Sequence, residues 1–231
     1  GMAWAAMPAL LKTRFNANEI LVSLMLVYVA ELLLVHLVQG PWRNPQGWGF
    51  PGTRMFPDVA LLPMFFPGYR VHLGTLIAVL IPFVIWFVLI RTRFGFQIRV
   101  FGSAPLAARH AGIGNNQMVW TTLLVGGGLA GLAGVLEAAS TIGQLMPKIS
   151  PGYGFTAIIV AFLGRLHPVG VLLAGTVIAV TYIGGESAQI SAGLPKAVTG
   201  LFQGIILFYL LAFDLLTRYR LTRVSARGNA A

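Results

Sequence analysis

The stretch from Glu19 to Gln39 reads EILVSLMLVYVAELLLVHLVQ, and after its first position Glu31 is the one Asp, Glu, Lys or Arg in it. An α-helix rises about 1.5 Å per residue, so a hydrocarbon core of about 30 Å needs about 20 apolar residues. The stretch has that length and that composition. It therefore predicts a helix that crosses a membrane.

The rest of the chain has the same character, because 57% of its 231 residues are hydrophobic and only 10% are charged. Soluble domains carry about 25% charged residues and disordered chains are poor in apolar ones, so both classes are excluded. We therefore predict an all-α fold, a polytopic transmembrane helical bundle. Further spans are predicted at Val71–Ile90, Met118–Ser140, Pro168–Gly185 and Ala197–Thr217, with a shorter one at Ser150–Gly164.

The basic residues indicate how the chain is oriented in a cell membrane. There are 16 Lys and Arg against 6 Asp and Glu, and such an excess collects in cytoplasmic loops. If residues 150–164 also cross, eleven Lys and Arg fall on one side and five on the other. The richer side then holds the loop 91–117 and the basic tail 218–231, which we expect in the cytoplasm. The chain has no basic run interleaved with aromatic residues on a soluble domain, so no nucleic-acid partner is expected.

The loop 40–70 is expected on the extracytoplasmic side. It contains six prolines interleaved with aromatic residues. Repeated prolines prevent a long helix, and aromatic side chains are typical of the membrane interface. Two interpretations stay open: a docking surface for an external partner, and a loop that lies on the lipid headgroups.

The loop 91–117 contains the signals of a short helix. Ser103 is a suitable N-cap, Pro105 suits a first turn, and Gly112 suits a C-terminal stop. The helix Ala104–Ala111 would be about 12 Å long, and its small residues allow another surface to approach closely. Because ordering so short a helix is costly without a contact, we expect this segment to transmit force to a partner.

The same segment carries a family resemblance. The runs TRFGFQIR at 92–99 and GSAPLAARHAGI at 102–113 resemble the cytoplasmic coupling segment of ABC importer permeases, in the group that serves simple sugars, nucleosides and branched-chain amino acids. Further matches are NEILV at 18–22, GGGLAGLAG at 126–134, GYGFTAI at 152–158, AFLGR at 161–165 and PVG at 168–170.

The resemblance implies a single permease domain over residues 1–220, from which the first spans of a full permease are missing. It implies three partners besides the bilayer: an ATP-binding cassette ATPase subunit, a second permease subunit and an extracytoplasmic solute-binding protein. The chain has no G-x-x-x-x-G-K-[ST] phosphate loop, so ATP hydrolysis is expected on the ATPase subunit. The residues implied in ATPase coupling are Gly102, Ser103, Pro105, Ala107, Ala108, Arg109, Gly112 and Ile113.

Four residues are candidates for a substrate pathway. Glu31 lies past the middle of one predicted span, and Glu137 lies three residues before the end of another. Inserting a carboxylate at the centre of a span costs roughly 2.5–3.5 kcal/mol, so such residues are rare. They would hydrogen-bond a solute, or else be paired structurally or face water. Tyr153 and Phe155 follow a glycine turn that suits a broken helix, a recurring device beside transporter substrates. They would stack on a ring, or serve only as interface aromatics.

Glycine patterns at 127/131 and 200/204 predict close helix packing, with a hinge as the alternative. No zinc or serine-nucleophile motif is present and the histidines are scattered, so neither an enzyme, a metal nor a cofactor is expected. The predicted function is a permease subunit of an ATP-driven importer. An ion- or proton-coupled carrier that uses Glu31 or Glu137, a branched-chain amino acid permease and a membrane scaffold remain as alternatives.

Overall fold

The computed structural model describes residues 1–47, 50–63, 72–150, 152–193, 195 and 197–218, and these divide into two compact units, Gly1–Pro151 and Gly152–Ala231. The first unit contains α1 (Met2–Phe15), α2 (Glu19–Gln39), α3 (Leu73–Arg91), α4 (Arg93–Ser103), α5 (Pro105–His110) and α6 (Asn115–Glu137). A π-helical turn, Ala138–Ile142, continues α6. The second unit contains α7 (Tyr153–Leu163), α8 (Pro168–Ala192) and α9 (Ala197–Arg218).

The prediction of a helical membrane protein is confirmed. Four of the described helices are long and apolar enough to cross a membrane, namely α2, α3, α6 with its continuation, and α8. Helix α9 has 22 residues and coincides with the predicted span that begins at Ala197. Helix α8 runs to Ala192, seven residues past the predicted end, because Glu186 to Ala192 lack a helix breaker before Gly193.

The prediction that Ser150–Gly164 spans the membrane as one helix is wrong. Helix α7 has 11 residues, which at about 1.5 Å each reach about 16 Å, roughly half of a hydrocarbon core. Gly152, with φ 104°, precedes the helix, and Gly164 ends it. The predicted segment itself has 15 residues, about 22 Å, and it was counted as a span because of the distribution of Lys and Arg and not because of its length.

Helices α1 and α6 pack closely through glycines. A Cβ atom added at Gly127 would overlap the Cβ of Ala5, and one at Gly128 would lie 2.8 Å from Cε of Met2. The indole Nε1 of Trp120 donates a hydrogen bond to Oγ1 of Thr13 at 3.1 Å. The prediction of close helix packing is therefore confirmed at Gly127 and Gly128. By contrast, a Cβ at Gly134, Gly200 or Gly204 would meet nothing within 4 Å.

The turn between α1 and α2 is fixed by local polar contacts. The carboxamide oxygen of Asn18 accepts from the backbone N–H groups of Ile20 and Leu21 at 3.0 and 3.4 Å, which caps α2. Across the turn, Nζ of Lys12 lies 2.8 Å from Oε2 of Glu19. The carboxylate in the first turn of α2 also matches the positive end of the helix dipole.

The described part of the loop 40–70 folds onto the chain that follows α6. The backbone N–H of Thr53 donates to the carbonyl of Leu145 at 3.0 Å, and Oγ1 of Thr53 accepts from the N–H of Leu145 at 2.9 Å. The N–H of Phe56 donates to the carbonyl of Gly143 at 2.8 Å. The described part of the loop is thus hydrogen-bonded within the first unit, and neither interpretation of its role is tested. Residues 48–49 and 64–70 lie outside the described residues.

Candidate functional site

Helix α4 is held directly against the end of α3. Oγ1 of Thr92 donates to the carbonyl of Val88 at 2.6 Å and accepts from the N–H of Gly95 at 3.1 Å, so one residue separates the two helices. Gly95 is buried, and a Cβ there would overlap the backbone of Val88 and Leu89. Only glycine permits this approach. The position of α4 is therefore determined by the last turn of a membrane-length helix.

The predicted cap of the next helix is wrong. Ser103 is the last residue of α4, and its Oγ donates to the carbonyls of Arg99 and Val100 at 2.9 and 3.3 Å. A serine hydroxyl that bonds back to its own helix is not available to cap the following one. The N-cap of α5 is Ala104, which has no side chain for capping, and Pro105 occupies the first turn as predicted.

Helix α5 covers six residues, shorter than the predicted Ala104–Ala111; it ends at His110, and its C-cap is Ala111, one residue before the predicted Gly112. Gly112 has φ +77°, the left-handed conformation that glycine adopts without strain. The N–H of Ile113 donates to the carbonyl of Ala108 at 3.0 Å, which completes the C-terminal turn.

The side chains of α5 divide into an inward and an outward set. Ala108 is completely buried, whereas Leu106 is 72% exposed. Ala107, Arg109 and His110 are exposed as well. The exposed side of α5 thus carries Leu106, Ala107, Arg109 and His110, whereas Ala108 is packed within the unit.

One end of the first unit is strongly basic. The hydrogen bond between Thr13 and Trp120 aligns the C-terminal end of α1 with the N-terminal end of α6, and α5 immediately precedes α6. The described basic residues at this end are Lys12, Arg14, Arg91, Arg93, Arg99 and Arg109, whereas those in the loop regions at the other end are Arg43, Arg54 and Lys148.

The second unit contains a polar cluster, which consists of Thr156 on α7, Tyr182 on α8 and Gln203 on α9. Oγ1 of Thr156 lies 2.8 Å from the phenol oxygen of Tyr182, which donates to Oε1 of Gln203 at 3.4 Å. Thr156 is only 7% exposed. Nε2 of Gln203 is buried and has no hydrogen-bond partner in the described part of the chain. Three apolar helices thus meet through neutral polar groups.

One of the predicted pathway residues joins this cluster. The ring of Tyr153 packs edge to face on the ring of Tyr182, with centroids 5.8 Å apart and an interplanar angle of 76°. Phe155 lies on the same short helix and is 48% exposed. The predicted break before α7 is present at Gly152, and it sets the start of the helix that carries Tyr153 and Thr156.

The two predicted carboxylates belong to the first unit. Glu31 is exposed on α2, and Glu137 is half-buried in the last turn of α6 before the π-helical turn. Neither carboxylate has a charged or hydrogen-bonding partner among the described residues. The sequence analysis missed Thr156, Tyr182 and Gln203; the available signal was a polar residue within each of three apolar stretches.

The second unit also has a cavity of about 250 Å³ between α8 and α9, apart from the hydrogen bonds of the cluster. Its wall includes Thr181, Gln189 and Phe202, so a polar edge faces an aromatic ring. No group of three or more metal-ligating side chains occurs among the residues that the structure describes.

Comparison with known proteins gives a family and several relatives. The family model for the permease component of branched-chain amino acid transport systems matches residues 1–211. The chain is 37% identical to the glucose ABC transporter permease protein TsgB13 of Haloferax volcanii, over 100% of the chain and 63% of that protein. It is 28% identical to the guanosine ABC transporter permease protein NupP of Bacillus subtilis, over 99% of the chain and 66% of that protein.

A nucleoside ABC transporter permease protein of Lactococcus lactis, NupC, is 25% identical over 80% of the chain and 61% of its own length. The chain therefore spans less than two thirds of the length of these curated relatives. No solved structure matches the chain significantly.

Proposed function

The chain belongs to the family of permease components of branched-chain amino acid transport systems, and we propose that it is the membrane-spanning subunit of an ATP-driven importer for a simple sugar or a nucleoside. It transports and does not itself hydrolyse ATP. The named activities of the relatives support the solute class, since these proteins are a glucose permease and two nucleoside permeases.

The outward surface of α5 is the observation that carries this proposal. Leu106 is 72% exposed and Ala107 is exposed beside it, on the end of the first unit that has six described Lys and Arg residues. That end faces the cytoplasm, since basic residues collect there. In this proposal α5 fits into a separate ATP-binding subunit, and the coupling residues are those of the segment from Gly102 to Ile113.

The proposed transporter contains further components. A second permease subunit completes the pathway, and an extracytoplasmic solute-binding protein delivers the solute to the end of the molecule that carries the loop 40–70. ATP hydrolysis changes the separation of the partner subunits, and α5 passes that movement to α4 and α6. The solute then crosses by alternating access.

The protein lies in the cell membrane, and we place its C-terminus in the cytoplasm. Four arginines at 218, 220, 223 and 227 support this orientation, although only Arg218 lies within the described residues. The orientation requires that the chain cross the membrane between α6 and α8. Helix α7 covers half of that distance, so the crossing is discontinuous, as in other transporters.

The decisive experiment places a charge on the outward surface of α5 in the assembled transporter. We expect Leu106→Asp to abolish solute-stimulated ATP hydrolysis and uptake while leaving membrane insertion intact. Ala108 is unsuitable for this test because it is buried and a charge there would disrupt the fold. Val59→Asp is the matched control, since Val59 is 98% exposed in the loop region at the other end of the unit.

Two measurements make the result unambiguous. Solute uptake and ATP hydrolysis are measured together in reconstituted vesicles, and co-purification of the ATPase subunit reports assembly. Uptake that persists with Leu106→Asp would disprove the assignment of the coupling helix. Uptake that is independent of any ATPase and stops when the proton gradient is dissipated would instead establish a proton-coupled carrier.

A further inference from the structure

The side chain of Gln203 is only half paired. A glutamine amide has an NH₂ group that donates two hydrogen bonds and a carbonyl that accepts. Tyr182 satisfies the carbonyl at 3.4 Å, whereas Nε2 is buried without a partner in the described part of the chain. Rotating the amide by 180° would direct the NH₂ toward Tyr182 and leave the carbonyl unpaired instead. Either orientation therefore leaves one polar end of Gln203 unsatisfied.

An unsatisfied amide between apolar helices is unfavourable, because it has lost water and gained nothing in return. Buried polar groups in native proteins are nearly always paired, so an exception requires a physical explanation. The free end of the amide is able to donate to, or accept from, one further polar group.

The hydrogen bonds around Gln203 determine its orientation. The chain of hydrogen bonds from Thr156 through Tyr182 fixes the amide carbonyl. The NH₂ end is thus held in a defined orientation by two other helices.

We propose that the Gln203 amide is a solute-binding group of the translocation pathway, oriented by Tyr182, and that it hydrogen-bonds a hydroxyl of a neutral polyhydroxylated solute. This inference rests on the proposed transport function. Thr156, Tyr182 and Gln203 are all uncharged, so the cluster suits the hydroxyl groups of a sugar or a ribose moiety and offers no opposite charge for the ammonium and carboxylate groups of an amino acid. Tyr153 adds an aromatic ring beside the hydroxyl site.

The amide becomes accessible to solute when α7 and α9 separate during alternating access. In the closed arrangement the unpaired group destabilises the interface, which favours opening when a solute is present to satisfy it. Differential binding of this kind is the only means by which a solute can shift a conformational equilibrium. Gln203 would therefore both recognise the solute and link its presence to the opening of the helices.

The test measures how strongly the transporter prefers a solute over an analogue that lacks one hydroxyl group. The preference is compared between the unmodified transporter and variants of Gln203 and Tyr182. Binding of glucose and 2-deoxyglucose, and of guanosine and 2′-deoxyguanosine, is measured on the assembled transporter in detergent without the solute-binding protein. For the better-bound pair, we expect the unmodified transporter to prefer the hydroxylated solute about tenfold, the effect of one hydrogen bond. Gln203→Leu should reduce the preference to within about twofold, and Tyr182→Phe should reduce it partly.

Thr176→Val is the matched control, because Oγ1 of Thr176 on α8 bonds only to the carbonyl of Leu173 in its own helix. It should retain the full preference. Gln203→Met, whose side chain is of similar length, replaces Gln203→Leu if the latter does not fold. The melting temperature of both Gln203 variants should equal or exceed that of the unmodified protein, since an unpaired buried group is removed.

Four results separate the possible failures. If the unmodified transporter shows ATP-driven uptake and the Gln203 variants keep their hydroxyl preference, the binding role is refuted and the proposed function stands. A lowered melting temperature with unchanged preference would likewise assign Gln203 to structure alone. If the unmodified protein binds leucine in preference to all four neutral solutes, the neutral solute class is overturned. Absence of any ATP-driven uptake refutes the proposed function itself.

Discussion

The contact between α1 and α6 makes a quantitative prediction for the glycines of α6. A Cβ at Gly127 overlaps the Cβ of Ala5, so Gly127→Ala requires the two helices to separate by about 1 Å to reach normal contact. Overpacking of this kind costs about 1–3 kcal/mol. Separation also weakens the hydrogen bond between Trp120 and Thr13, worth about 1 kcal/mol, and the higher helix propensity of alanine returns about 1 kcal/mol.

Gly126→Ala is the matched control in the same helical turn. A Cβ at Gly126 meets nothing within 4 Å, so only the gain in helix propensity remains, about 1 kcal/mol of stabilisation. The two variants should therefore differ in free energy of unfolding by about 2–4 kcal/mol. Gly128→Ala should fall between them, because the atom it meets is the flexible end of Met2.

The measurement is unfolding of the detergent-solubilised protein with a denaturant, followed by circular dichroism. Alanine replaces glycine in all three variants, so the change in composition is identical and only the environment differs. Equal stability of Gly127→Ala and Gly126→Ala would show that α1 does not contact α6 as described, and the reasoning would fail.

Three further predictions concern other parts of the molecule. Gly95→Ala should displace α4 and reduce ATPase coupling at least about tenfold, whereas Gly134→Ala on α6, whose Cβ meets nothing within 4 Å, should not; hydrolysis and uptake are measured together. Leu166 has φ +55°, so Leu166→Gly should raise the free energy of unfolding by about 1 kcal/mol in a denaturant titration. Glu31→Gln should leave the pH dependence of uptake unchanged if ATP drives transport; loss of proton-dependent uptake would instead support the secondary carrier.

The sequence was sufficient for the membrane-length helices, because apolar length is a local property. The segment EILVSLMLVYVAELLLVHLVQ forms a helix with the predicted bounds. The actual role of Ser103 could not be predicted. It depends on whether α4 extends to that residue, which decides whether the serine ends α4 or caps α5. Helix α4 itself was not predicted as a separate element. Its two glycines weaken the local signal, and its position depends on the close approach of Gly95 to the end of α3.

The polar cluster lay beyond prediction for a different reason. Thr156, Tyr182 and Gln203 are isolated polar residues in three separate apolar stretches. Their meeting depends on the rotation of three helices about their axes, which apolar periodicity does not determine when helices are apolar on all sides. Glu31 and Glu137 were predicted because charge in a span is rare, but they belong to the first unit, whereas the cluster belongs to the second.

The continuous helix from Asn115 to Ile142 has a mechanical consequence. It extends about 40 Å; its first turns follow α5, and beyond its far end the strap formed by Thr53 and Phe56 is hydrogen-bonded to the chain. Because α1 packs against the first half of α6 at glycine contacts, we expect this part of α6 to resist bending. If α5 is the coupling helix, as proposed, a displacement of α5 would be carried along α6 toward the loop that contains Thr53 and Phe56.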